Sequence, residues 1–226
     1  MGKRQVITID GPAGAGKSTI SKLLADRLSY LYLDTGALYR AVAYRLIQKG
    51  FSGDEKEVVA YCDKMKVALQ KMGNRLHVLV DGEDVTDKIR TEEIGLLASR
   101  ISALLPVRMA LLAIQRNIGA AGGVVAEGRD MGTVVFPDAF GKFYLHATVK
   151  ERALRRHLEL TERGVHANLT DVEEDIVRRD RQDMERAVSP LRIPCDAVLI
   201  DSTDKSIAQI IDIMMDEIKG REHVQE

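Results

Sequence analysis

Only two cysteines occur in the 226 residues, Cys62 and Cys195, far apart and with no paired spacing. Their scarcity excludes a disulfide framework and a cysteine zinc site, and points to reduced thiols in a cytoplasmic protein. Long apolar runs are lacking too. None approaches the roughly 18 residues of a membrane span, and the run after MGKRQ is too short for a signal peptide. No sign of charge dominates: 33 basic residues face 34 acidic ones, net −1. The chain as a whole therefore has no electrostatic reason to bind nucleic acid or a membrane, and its arginines must act through local placement. His146, His157 and His166 are not spaced as metal ligands. There is no N-K-x-D, which excludes a regulatory GTPase, and there is no internal repeat. No apolar surface stripe demands a partner, so a monomer is expected.

What is present alternates. Short apolar runs at VITID (6–10), LYLD (31–34), VVAE (124–127), KFYLH (142–146) and AVLID (197–201) are separated by helical patterns. Buried strands alternating with helices imply an α/β fold with a five-stranded parallel sheet flanked by helices. Ile20, Leu23, Leu24 and Leu28 keep helical spacing after Lys17. Helices are also expected over 37–49, 54–72 and 92–104, the last ended by Pro106. A further helix is expected from a capping box at Thr170-Asp-Val-Glu173 to about Ala187. NRLHVLVDGEDVT (74–86) breaks the alternation: Leu76, Val78 and Val80 alternate, then Asp81-Gly82 turns, as in a small antiparallel hairpin opened by Gly73-Asn74.

The strongest motif is Gly11-Pro12-Ala13-Gly14-Ala15-Gly16-Lys17-Ser18, a full G-x-x-x-x-G-K-[ST] between a predicted strand and a predicted helix. Its glycines let backbone amides turn around an anion, and the helix N-terminus adds partial positive charge. Lys17 can reach the outer phosphates of ATP, and Ser18 can ligate Mg2+. The loop indicates nucleoside triphosphate binding but is silent on the acceptor.

Three other stretches offer acceptor chemistry. LDTGALYR (33–40) puts a Thr35-Gly36 turn at a strand end, with Arg40 one helical turn later. In an open α/β sheet, ligands gather at the carboxyl ends of strands. AEGRDMG (126–132) crowds Glu127, Arg129 and Asp130 around another such end, costly to bury without ligands or partners. RRDRQDMER (178–186) sets Arg179, Asp183 and Arg186 on one helix face, two guanidiniums and a carboxylate able to hold a phosphate and a polar group. Arg152, Arg155 and Arg156 share a face of an earlier helix, followed by a loop and a second helix, as suits a lid closing over phosphates.

Together IDGPAGAGKST, LDTGALYR, GEDVTDKIRTEEI, GRDMGTVVFPDA and RAVSPL resemble the bacterial cytidylate kinases, nucleoside monophosphate kinases of the P-loop class. The resemblance covers nearly the whole chain, and GRDMGTVVFPDA with the hairpin insert is its most specific part. It implies transfer of the ATP γ-phosphoryl to CMP or dCMP, in pyrimidine nucleotide metabolism. Gly14 to Thr19 would hold the ATP phosphates. Arg40, Arg129 and Arg186 would hold the acceptor phosphate, with Thr35 lining that site. Arg179 and Asp183 would hold the sugar. Ser99, Arg108 and Asp130 would read the cytosine. Arg152 and Arg156 would close over the transferring group. It also implies a core of 1–34, 106–150 and 171–226, an acceptor-binding region at 35–105 and a lid at 151–170. One position departs: Glu127 stands where Asp is expected before Gly-Arg-Asp, a longer carboxylate that would act on Mg2+ through water. On the residues alone two other readings stay open: a P-loop kinase of a hydroxyl acceptor, with Asp130 or Asp183 as base, and a nucleotide sensor without turnover.

Overall fold

The computed structural model describes residues 5–225 apart from 52, 53, 63, 73, 74 and 163, with side chains to residue 223. Its centre is a five-stranded parallel sheet: β1 (Val6–Asp10), β2 (Leu31–Asp34), β6 (Val124–Gly128), β7 (Gly141–His146) and β8 (Val198–Asp201), in the order β2-β6-β1-β7-β8. All five form where the sequence carries continuous apolar runs; the three central strands are covered on both faces, while edge strand β2 is mostly half-buried and edge strand β8 leaves Leu199 exposed. α1 (Lys17–Leu28) and α8 (Ile207–Gln225) pack on one part of it through Ile20, Leu24, Ile210 and Met214.

Between β2 and β6 the chain builds a second region with its own core. α2 (Thr35–Gln48), α3 (Glu55–Cys62), α4 (Glu92–Ile101) and α5 (Leu105–Gly119) enclose Leu38, Val42, Val58, Ile94 and Leu111. The small sheet packs there through Val78 and Val80. It has three antiparallel strands: β3 (Val67–Met72), β4 (Arg75–Val80) and β5 (Glu83–Asp84). The expected hairpin is β4 and β5, turning at Asp81-Gly82 with positive φ at both residues. The Gly73-Asn74 turn lies outside the described residues.

Several local expectations are corrected. The helix expected over 54–72 stops at Cys62, and Val67–Met72 is strand. Val67 and Leu69, half-buried between exposed neighbours, lie on one face of β3, paired with β4. Thr35 and Gly36 are not a turn but the first residues of α2, capped by the Asp34 side chain, which accepts from the Ala37 amide at 3.0 Å. The helix expected over 92–104 ends at Ile101. Pro106 belongs to the first turn of α5, where its missing N–H costs nothing. α7 (Leu169–Glu185) is capped by Asn168, not Thr170; the Asn168 side chain accepts from the Thr170 amide. α6 (Val149–Glu162) packs on α7 through Ala153, Leu160, Val172 and Ile176. Among the described residues, no single helix is long and apolar enough to cross a membrane.

The register positions the site. Asp34 lies beside Glu127, Gly128 beside Asp10, and Asp10 beside Tyr144. The segments following β2, β6, β1 and β7 thus leave the same edge of the sheet side by side. After β6 the chain crosses to the other side of β1, so the loops after β1 and β6 flank the point where the winding reverses, the ordinary place for a ligand crevice.

Candidate active site

The loop after β1 is shaped by close packing. Gly11 has φ +151°, and a Cβ there would run into the Leu145 carbonyl of β7. Gly14 has φ +74°, and its Cβ would sit 3.1 Å from the Arg152 Cβ of α6. Only glycine fits such approaches. α1 then starts at Lys17 with no side-chain cap, leaving its first amides free for an anion.

Lys17 is buried, and its Nζ donates to the Pro12 carbonyl at 2.6 Å. Burial, and then the Arg129 charge, push its pKa below the ordinary lysine value. Ser18 Oγ donates to Glu127 Oε2 at 3.0 Å, and the Tyr32 hydroxyl donates to Glu127 Oε1. Burial, with the Asp34 charge adding to it, raises the pKa of Glu127. The longer carboxylate at this position therefore reaches the expected cation ligand Ser18 directly. Thr35 Oγ1 donates to the Glu127 carbonyl at 2.7 Å.

A second cluster faces this loop. Arg108 Nη2 donates to Asp130 Oδ2, and Arg186 Nη2 lies 3.7 Å from Asp130 Oδ1. Arg186 Nη1 lies 3.7 Å from Asp183 Oδ1, while Arg129 Nε donates to Asp183 Oδ2 at 2.7 Å. Arg108, Asp130, Arg186, Asp183 and Arg129 thus form one continuous chain of alternating charge. Burial and the Arg108 charge lower the pKa of Arg186 against the pull of Asp130 and Asp183. For Arg129, burial pulls the pKa down, but the charge and hydrogen bond of Asp183 outweigh it and the net shift is upward. Arg186 Nη2, Arg179 Nε and Arg40 Nε are buried without a hydrogen-bond partner. Buried donors of this kind are costly unless something accepts from them, and an anionic ligand would.

Ser99 is tied to α7 through Gln182: its Oγ donates to Gln182 Oε1 at 3.3 Å, and Gln182 Nε2 donates back to the Ser99 carbonyl at 3.0 Å. Four expected arginines stand apart from the network. Arg40 is turned onto Asp34, with Nη2 to Oδ2 at 2.6 Å. Arg156 pairs with Glu159 at 2.8 Å. Arg179 does not bond Asp183, whose guanidinium partners are Arg129 and Arg186. Burial, and then the neighbouring Arg156, lower the Arg179 pKa. Arg152 does not reach over an open site but packs on the loop, donating to the Ala13 carbonyl at 2.9 Å and pairing with Asp180 at 2.6 Å.

Sequence reasoning missed four members: Asp10, Tyr32, Asp180 and Gln182. Asp10, fully buried, accepts from the Met131 and Gly132 amides at 2.9 and 2.8 Å. It thereby fixes the π-helical turn Met131–Val135 that follows Arg129 and Asp130. An ionisable residue closing an apolar strand just before the glycine loop was the available signal. For Asp180 it was the spacing of three before Asp183. For Tyr32 and Gln182 the sequence carries none.

Comparison with known proteins gives the family. The family described as cytidylate kinase matches residues 7–220. A cytidylate kinase of Citrifermentans bemidjiense is 51% identical over 217 residues, covering 96% of this chain and 93% of its own. One from Coxiella burnetii is 43% identical, covering 96% and 92%. Among solved structures, a gluconokinase from Sinorhizobium meliloti 1021 superposes with a TM-score of 0.53 at 14% identity, covering 100% of this chain and 98% of that one, a likeness of fold alone. With a full phosphate loop facing an arginine and aspartate network, and with relatives matched over more than nine-tenths of both chains, the chain belongs to the cytidylate kinase family.

Proposed function

We propose that the chain transfers the γ-phosphoryl group of ATP to the 5′-phosphate of CMP or dCMP, giving ADP and CDP or dCDP. The observation that carries this reading is the buried Arg108–Asp130–Arg186–Asp183–Arg129 network beside the phosphate loop. Arg129, Arg186 and, once released from Asp34, Arg40 would hold the acceptor phosphate, with Thr35 behind it. Asp183 and Arg179 would meet the sugar hydroxyls. Arg108 and Asp130 set a donor beside an acceptor, complementary to the ring nitrogen and exocyclic amine of cytosine and opposed to the same edge of uracil. Ser99 lies at the margin of that pocket.

The donor side follows from the loop. Its amides from Gly14 to Thr19, with Lys17, would take the ATP phosphates. Ser18 and Glu127 suit Mg2+: a hydroxyl and a buried carboxylate lie together where phosphate oxygens and waters would complete an oxygen set. Bound there, Mg2+ would neutralise charge on the phosphates. The acceptor is already an anionic phosphate oxygen, so no general base is needed. It bonds to the γ-phosphorus while the bridging oxygen leaves with ADP. Lys17 and the arginines offset charge as it spreads in transfer. Arg152 and Arg156 belong to the proposed lid of residues 151–170, which would exclude water on closing. A hydroxyl acceptor is less well served, because Asp130 and Asp183 are both occupied by guanidinium donors.

The test is an acceptor panel with ATP and Mg2+, following ADP release. CMP and dCMP should be turned over much faster than UMP, AMP or GMP. Equal rates with all of them would refute the assignment.

A further inference from the structure

Asp180 has no place in the scheme above, yet it is buried at the junction of the two substrate regions. Its Oδ1 accepts from the Ala13 amide of the phosphate loop at 3.2 Å, across 167 residues of sequence. Its Oδ2 pairs with Arg152 Nη1 at 2.6 Å. The same Arg152 Nη1 donates to the Ala13 carbonyl at 2.9 Å, and its Nε donates to the Ala147 carbonyl at 2.9 Å. A single ion pair, one partner from α6 and one from α7, therefore touches both polar atoms of Ala13. The grip has little slack, since the Arg152 Cβ lies where a Cβ on Gly14 would meet it.

The other end of this tie is α7 itself. Asp180 follows Arg179 and precedes Asp183 by three residues, so a shift of α7 that moves Asp183 and Arg186 also moves Asp180. Asp183 stays on Arg129, and Arg186 beside Asp130, only while α7 is docked. The Asp180 bond to Ala13 needs the same docking.

We propose that Asp180 is a positioning residue that ties the phosphate loop to the acceptor-reading helix, so that each substrate is held more tightly when the other is present. This rests on the ATP and CMP assignments above. A ligand that draws α7 onto Arg129 and Asp130 also orders the loop at Ala13, and a ligand that fills the loop favours docked α7. Thermodynamic linkage makes the two effects equal.

The experiment is titration calorimetry of CMP in the absence and presence of saturating β,γ-imido ATP with Mg2+. For the wild type we expect the analogue to tighten CMP binding roughly fivefold or more, the usual lower range for coupled sites. In Asp180→Ala the ratio should fall to within about twofold of unity. Asp180→Asn, which keeps an acceptor for the Ala13 amide but loses the ion pair, should give an intermediate ratio. If Asp180→Ala does not fold, Asp180→Asn decides, a reduced ratio supporting the proposal and a wild-type ratio overturning it. Arg178→Ala, an exposed site on the same helix paired with Asp175, should keep the wild-type ratio. A folded Asp180→Ala that binds the analogue weakly yet retains wild-type coupling would show that Asp180 merely supports the loop, and would overturn the proposal. Should the wild type bind no CMP, the acceptor assignment falls and the coupling with it. Should it bind and phosphorylate CMP while Asp180→Ala couples as before, only the coupling falls.

Discussion

Replacing Asp183 with alanine separates a substrate contact from a structural ion pair. The carboxylate accepts from Arg129 at 2.7 Å, faces Arg186 at 3.7 Å, and its side chain is 10% exposed. Hydrogen bonds to charged groups contribute about 1.5–3 kcal/mol. If Asp183 holds the sugar, the KM for CMP should rise by roughly 10- to 150-fold. Removing it also leaves two guanidiniums short of a partner. Breaking a buried pair costs about 3–5 kcal/mol, but the Arg129 side chain keeps 28% exposure and is partly screened, so about 2–3 kcal/mol is expected. For a chain of this size that is a fall in Tm of roughly 4–12 °C. The assays are initial rates over a CMP titration at saturating ATP, binding of ATP to the free protein, and calorimetric unfolding. A fall in Tm with an unchanged KM for CMP would refute the substrate role and leave a salt bridge. An equal loss of ATP binding would refute the division of the site into donor and acceptor halves.

Two other outcomes are expected. Lys17→Met should lower kcat by about 100-fold or more in a coupled ADP assay, while thermal stability is unchanged or higher, because the buried ammonium is held below its ordinary pKa by burial and Arg129. The folded pKa lies below the unfolded value, so the unfolded chain binds more protons; the wild type's deficit against Lys17→Met should be largest in acid and shrink as pH rises toward 10.5. A large loss of stability in the variant would refute this. Asp10 has the opposite sign. Burial raises its pKa from the ordinary 3.8 to about 6, so between those values the folded chain binds more protons and stability falls as pH rises. Relative to Asp10→Asn, the wild type should lose about 3 kcal/mol from below pH 4 to above pH 6 in urea unfolding, and a flat difference would contradict the burial argument.

The parts legible in the sequence were those in which neighbours along the chain share one environment. The central parallel strands β1, β6 and β7 are buried on both faces and read as plain apolar runs, and the phosphate loop is a contiguous motif with fixed glycines. β3 was not legible: Val67 and Leu69 only half-bury against β4, and Val58, Tyr61 and Met65 just before them carry helical spacing onward. The acceptor residues were recognisable as a set, but their pairing only in part. RRDRQDMER holds four arginines and three acids within nine residues, and spacing alone joined Asp183 to both Arg179 and Arg186, of which the fold keeps only Arg186, at 3.7 Å. The fold also gives Asp183 to Arg129, which is 54 positions away. Asp10 and Asp180 were hidden for the same reason, since their partners are the backbone amides of distant turns.

The end of β6 carries a consequence for redesign. Within four residues it supplies Glu127 to Ser18, the Glu127 carbonyl to Thr35, Arg129 to Asp183 and Asp130 to Arg108. If the proposed roles hold, donor-side and acceptor-side contacts are interleaved there on neighbouring residues, so a one-residue insertion or deletion would misalign both substrates at once. On the proposed assignment, a change of nucleobase preference made in that segment would also touch the ATP side. On that assignment, Ser99, carried on α4 outside the parallel sheet and bonded to Gln182 rather than to that segment, is the place to alter base preference with least effect on the phosphates.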